Sequence, residues 1–243
     1  MANIIWQFFI APLIGFALGG FPTSYIICKL TRGIDPREFG SGSVSTRNVI
    51  RATGGLFPWG LLNGTVDFIK GAAACAIVEY ALCYNHPNLD YLVSLTALAA
   101  VAGHCWMPYL GFKGGKGLAT MGGTLFFLYW PISPLIFPIM IGLLSRFSGY
   151  SGVGSVWAVT FISPIFFILD VIGAGTQIIN IPHIYLTDFA AGGIHAGYGP
   201  AFTILYGLGI VLIISLRYIP EFKKIRAGEI QTWQSLKASD VMK

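Results

Sequence analysis

Charge is the scarcest ingredient of this 243-residue chain: Lys, Arg, Asp and Glu make up 10% of it, where a soluble domain carries roughly 25%. With 55% hydrophobic residues beside that shortage, an ordinary soluble globule is excluded and a polytopic membrane protein is expected. Cysteine is sparse as well. Cys28, Cys75, Cys83 and Cys105 lie in or beside apolar segments without metal-ligand spacing, so they read as buried free thiols. No basic n-region precedes the first apolar run, whose earliest cation is Lys29 at its far end; a retained first span is expected, not a cleaved signal. A P-loop is missing too. The stretch G-F-K-G-G-K-G at 111–117 has Gly117 after Lys116, where that motif needs Ser or Thr.

What is present in quantity is apolar sequence. Six long stretches run at about 4–30, 57–84, 91–110, 117–145, 152–173 and 198–219. Backbone at membrane depth must satisfy its own hydrogen bonds, and these runs are too long for barrel strands, so one all-α domain over 1–229 with a polar tail at 230–243 is expected. The fourth stretch carries Pro131 and Pro134 after Trp130, a place for two short helices to meet at a turn. If it crosses twice, seven helices result, and every cation outside a span falls on one face: the 29–51 loop, Lys113, Lys116, Arg146 and the tail from Arg217. The positive-inside rule then puts the N-terminus outside and the C-terminus in the cytoplasm. The net charge of +5 is explained in large part by attraction to anionic lipid headgroups.

Polar groups mark where chemistry is expected. Four glycines and two lysines at 111–117, at the mouth of a membrane helix, suit an anion, above all phosphate. The loop TRGIDPREFGSGSVSTRNVIRATGG at 31–55 offers hydroxyls, backbone N–H groups and arginines, which suit an oxyanion; alone it also reads as a basic cytoplasmic loop. Asp67 and Lys70 share one helix face inside the second stretch, either as a functional pair or as an ion pair fastening helices. His104 stands near the end of the third, as a structural or a catalytic imidazole. His183, Asp188 and His195 in the outer connection 174–197 are irregularly spaced and read as a solvated loop, not a metal site.

Taken in order and spacing, GGFPTSY at 19–25, GIDPREFGSGS at 33–43, NVIR at 48–51, DFIKG at 67–71, His104, GFKGGKGLAT at 111–120, SRFSGYSGVGS at 145–155 and AGE at 227–229 resemble the bacterial acyl-phosphate:glycerol-3-phosphate acyltransferases. That resemblance implies a seven-helix integral enzyme of the cell membrane with its site facing the cytoplasm. It implies transfer of a fatty acyl group from acyl phosphate to the sn-1 hydroxyl of glycerol 3-phosphate, giving lysophosphatidic acid and phosphate for phospholipid biosynthesis. The partners implied are those two substrates and membrane lipids. Nucleic acid, a metal, a cofactor, acyl-CoA, acyl carrier protein and an obligate protein partner are not.

Carried over by motif, the resemblance implies catalytic roles for Ser41, Arg51 and Lys116, and substrate contacts from Gly114, Gly115, Gly117, Ser43, Arg47, Asn48, His104, Tyr218 and Glu221. The family's S-G-N-V-G-A-T-N-V is here S-G-S-V-S-T-R-N-V, with Ser43, Ser45, Thr46 and Arg47 at the changed places. Its R-H-K-E-N-I is here R-Y-I-P-E-F, with Tyr218 for histidine and Glu221 for asparagine. Arg47 and Glu221 are new charges of opposite sign, and their pairing across the site is one expectation; a second anionic group on the substrate for Arg47 is the other. The alternative functions are a related acyltransferase with another phosphorylated acceptor, and a transporter or lipid-binding protein for an anion. Transporters of many folds carry internal repeats, and none is visible here.

Overall fold

A computed structural model gives the fold of residues 2–40, 42–83, 91–129, 133–171 and 200–229. Ser41, the connection bearing His183, Asp188 and His195, and the tail from 230 lie outside the described residues. Every regular element among the described residues is helical, as the long apolar runs require.

The first apolar stretch is expected as one span, and the structure divides it. Helix α1 (Ala2–Gly19) stops and α2 (Thr23–Arg32) starts after a turn at 20–22. Two glycines end α1, and Pro22 lacks the N–H that a continuous hydrogen-bond ladder needs. Then come α3 (Thr46–Thr53), α4 (Leu61–Val78) and α5 (Tyr91–Cys105). The fourth stretch breaks where its prolines suggest, into α6 (Leu118–Leu128) and α7 (Ser133–Ser148), with Pro134 in the first turn of α7, where a missing N–H costs nothing. Helices α8 (Ser151–Val171) and α9 (Pro200–Arg226) follow. Among the described residues, four helical runs, Trp6–Arg32, Tyr91–Leu110, Ser151–Ile168 and Phe202–Arg226, are long and apolar enough to cross a membrane. With α6 and α7 as shorter apolar helices, the chain is an all-α membrane protein.

The helices gather into two compact units, Met1–Leu128 and Tyr129–Lys243. In the first, α1 lies on α5 and α4 on α6 with backbone against backbone. A Cβ at Gly19 would collide with the Ala100 carbonyl, and one at Gly103 with the Phe16 carbonyl. On the other seam, Gly71 meets the Thr120 carbonyl and Gly123 the Phe68 carbonyl in the same way. Lipid offers no hydrophobic drive for helices to associate, so close approach over small residues supplies the dispersion energy instead. These seams bring the ends of α4, α5 and α6 together. In the second unit, Gly154 of α8 takes the backbone of Ser145 in α7, Tyr129 stacks on Phe166 at 4.1 Å, and its hydroxyl meets Thr203 Oγ1 at 3.0 Å.

Candidate active site

Past the end of α5 a short helical turn at Pro108–Leu110 leads into the glycine stretch. The Gly115 N–H donates to the His104 carbonyl at 2.9 Å, folding the stretch back over the end of its own helix. It fits only without side chains. A Cβ on Gly114 would strike the His104 carbonyl, and one on Gly115 would strike His104 Nε2 and stand 2.6 Å from the Val44 carbonyl. Gly117 has φ +83°, a left-handed conformation that costs glycine nothing, and it turns the chain straight into α6. The Met121 N–H takes the Gly117 carbonyl at 2.8 Å as the first bond of that helix. Half-buried Lys116 thus stands beside the positive end of an eleven-residue helix whose first N–H groups have no partner within the helix.

The first loop is pinned from several sides. Asp35 takes hydrogen bonds from Arg37 Nε and Nη2 at 3.0 and 2.6 Å, and the same guanidinium donates to the Leu110 carbonyl at 3.3 Å and lies 5.5 Å from the centre of the Tyr25 ring. Those hydrogen bonds hold the Asp35 carboxyl below the usual carboxylate range. Val44 plugs into a small core with Met107 and Leu110. Asn48, fully buried, donates from Nδ2 to the carbonyls of Pro36, Phe39 and Ser43 at 2.7, 3.0 and 3.0 Å. Two amide hydrogens shared among three carbonyls tie the whole loop to the start of α3. Ser43 Oγ and Ser45 Oγ meet at 2.8 Å just ahead of that helix. Arg47 and Arg51, one turn apart and both exposed, put two cations on one face of α3.

A buried polar network underlies both stretches. Asp67 Oδ1 pairs with Lys70 Nζ at 2.7 Å and lies 3.7 Å from His104 Nδ1, while Oδ2 accepts from Asn63 Nδ2 at 3.0 Å. Asn63 also donates to Thr46 Oγ1 and accepts from Ser24 Oγ, each at 2.8 Å, and Lys70 donates to the Phe21 carbonyl at 3.0 Å. The Asp67 side chain is 1% exposed and that of His104 4%. So Val44, Gly115 and His104 converge, and the two glycine-bearing loops meet over one buried carboxylate.

Of the residues expected at the site, the first unit holds Ser43, Arg47, Asn48, Arg51, His104, Gly114, Gly115, Lys116 and Gly117, while Ser41 lies outside the described residues. His104 is packed beneath Gly115, and the Asn48 amide is spent on loop carbonyls. Tyr218 and Glu221 belong to α9 in the second unit. Tyr218 is buried with its ring 6.3 Å from that of Phe222, and the Glu221 carboxylate abuts Gly152 in the first turn of α8, where the helix dipole favours a negative charge. Sequence reading missed Ser24, Asn63 and the Asp35–Arg37 clasp. Asn63 had a signal, since it precedes Asp67 by four and Lys70 by seven on one helical face.

A family model described as glycerol-3-phosphate acyltransferase matches residues 9–228. The glycerol-3-phosphate acyltransferase of Nostoc sp. (strain PCC 7120) is 34% identical over 189 residues, covering 69% of this chain and 81% of the relative. Another, from Dehalococcoides mccartyi, is 27% identical over 233 residues, with 93% and 95% covered. Among solved structures, the integral membrane glycerol 3-phosphate acyltransferase PlsY (YgiH) in its glycerol 3-phosphate form superposes with a TM-score of 0.69 at 25% identity, over 95% of this chain and 98% of that one. Its lysophosphatidic acid form gives 0.66 at 25% identity, over 93% and 94%. With a glycine-lined loop, a lysine at a helix start and a buried polar support already in place, these matches make the chain a member of the glycerol-3-phosphate acyltransferase family, an integral membrane acyltransferase.

Proposed function

We propose that the chain transfers a fatty acyl group from acyl phosphate to the sn-1 hydroxyl of glycerol 3-phosphate, releasing lysophosphatidic acid and inorganic phosphate. The observation that carries this reading is the approach of Gly114 and Gly115 to His104 and Val44, with Lys116 leading into α6. Bare backbone, a lysine ammonium and a helix N-terminus converge there, and that combination is chemistry for phosphate. Arg51, Ser41, Ser43 and Arg47 would add donors from the first loop, and Gly117 sets the turn.

An acyl phosphate is already activated. The sn-1 oxygen attacks the acyl carbon, a tetrahedral oxyanion forms, and the C–O bond to phosphate breaks with its electron pair leaving on phosphate. The departing phosphate accepts the proton of the attacking hydroxyl, so atoms and charge balance without a protein base. The protein's contribution is to align the two substrates and stabilise negative charge as it moves. Seven spans, α1 and α4 to α9, with the N-terminus outside, would put the cradle at the cytoplasmic face of the cell membrane, where the phosphorylated substrates are. The test offers acyl phosphate, acyl-CoA and acyl carrier protein thioester separately with glycerol 3-phosphate, and locates the acyl group on the product. Turnover with acyl phosphate and an sn-1 ester is expected. Turnover restricted to a thioester donor would overturn the donor assignment.

A further inference from the structure

The Asp67 side chain is 1% exposed, and its carboxylate is linked both to the start of α3 and to the end of α5 beneath the glycine stretch. One oxygen faces Lys70 and His104, and the other faces Asn63. Through Asn63 it connects to Thr46, the first residue of α3, and to Ser24 of α2; through Lys70, to the Phe21 carbonyl at the break after α1. Through His104 it connects to the Gly115 backbone, which rests on that imidazole. Fastening helices alone would need only the ion pair. Here the pair is continued outward on one side by hydrogen bonds through Asn63 to the start of α3, and on the other by the His104 imidazole, 3.7 Å away, on which the glycine stretch packs.

We propose that Asp67 is the positioning residue of the phosphate cradle, holding the start of α3 through Asn63 and Thr46 and the glycine stretch through His104 in one register. It touches no substrate and acts through the groups it holds. This inference rests on the reading of the cradle as a phosphate site. A pair that only fastens α4 can be exchanged for apolar side chains of similar volume without loss, whereas removing one partner leaves a buried charge uncompensated. The double variant Asp67→Leu/Lys70→Met therefore separates the two roles.

The full chain is purified in detergent, and melting temperature, kcat and the KM for each phosphate substrate are measured for wild type, the double variant and Thr46→Val. Thr46→Val keeps the side-chain shape at a half-buried position and removes only the hydroxyl that Asn63 reaches, so it reports on the same link if the double variant does not fold. The double variant is expected to melt near wild type with at least one KM raised about 10-fold or more and kcat changed much less, the pattern of lost binding geometry. Thr46→Val should raise the same KM about 3-fold or more. A folded double variant with both KM values at wild-type level, or an unchanged KM in Thr46→Val, overturns the inference while leaving the acyl-transfer reading intact. A wild type that neither turns over nor shifts its melting temperature with glycerol 3-phosphate would overturn that reading, and this inference with it.

Discussion

The imidazole of His104 occupies the space into which a side chain at Gly115 would project. The two residues are eleven apart in sequence, and the Gly115 N–H returns to the carbonyl of His104 itself. The glycine is thereby fixed by contact, since its neighbours are the buried His104 ring and the Val44 carbonyl, and the carbonyl cannot retreat without moving the first loop. Gly115→Ala is expected to lower kcat/KM by about 100-fold through displacement of the adjoining Lys116. Gly142→Ala, on a face of α7 with nothing within 4 Å of the added methyl, is the matched control and should stay near wild type. Steady-state kinetics on both variants checks the contrast.

Asn48 stands to the first loop as Gly115 does to the second. Its amide nitrogen serves three carbonyls, so Asn48→Ala should cost about 1–3 kcal/mol for the carbonyls left without a donor. Asn48→Asp should be worse than alanine, because it sets a carboxylate oxygen against those same carbonyls. Thermal unfolding in detergent gives the order. A destabilised loop should also lose activity, since Arg51 and Arg47 are carried on the helix that Asn48 joins.

The clasp of Arg37 on Asp35 predicts a pH dependence. Hydrogen bonds from the guanidinium lower the carboxyl's folded-state pKa below its ordinary value of roughly 3.9. A depressed pKa contributes stability that is fully present above the unfolded value and is lost as pH falls through the folded one. Wild type should therefore lose a small increment of stability as pH drops below about 4. Asp35→Asn should lack that increment at neutral pH and show a flatter profile at its acid end. Melting temperature followed against pH, with both proteins in one detergent, reads the difference.

Much of this architecture was legible because the physics is local. Scarcity of charge and long apolar runs indicate membrane helices, and the prolines near 131–134 mark the break between α6 and α7. The break after α1 was harder. Its signal, two glycines and a proline, sits inside a run apolar enough to read as one span. At the site, glycine and lysine in one short stretch announce an anion, whereas the link from Asp67 to His104 and from Asn63 to Thr46 joins residues far apart in the chain. Such links depend on how α4, α5 and α3 pack. Glu221 was legible as a new charge, whereas its place beside Gly152 at the first turn of α8 depends on how α8 and α9 pack.

Formation of lysophosphatidic acid by the purified chain from acyl phosphate and glycerol 3-phosphate, followed together with phosphate release and repeated with Lys116→Ala, is the most direct test of acyl transfer at the glycine and lysine cradle. One phosphate per lysophosphatidic acid is expected from wild type, with a loss of roughly 100-fold or more in kcat/KM on removing the ammonium proposed to stabilise the phosphate charge. Absence of product from wild type under conditions in which a related acyltransferase turns over, or a Lys116→Ala variant as fast as wild type, would contradict it.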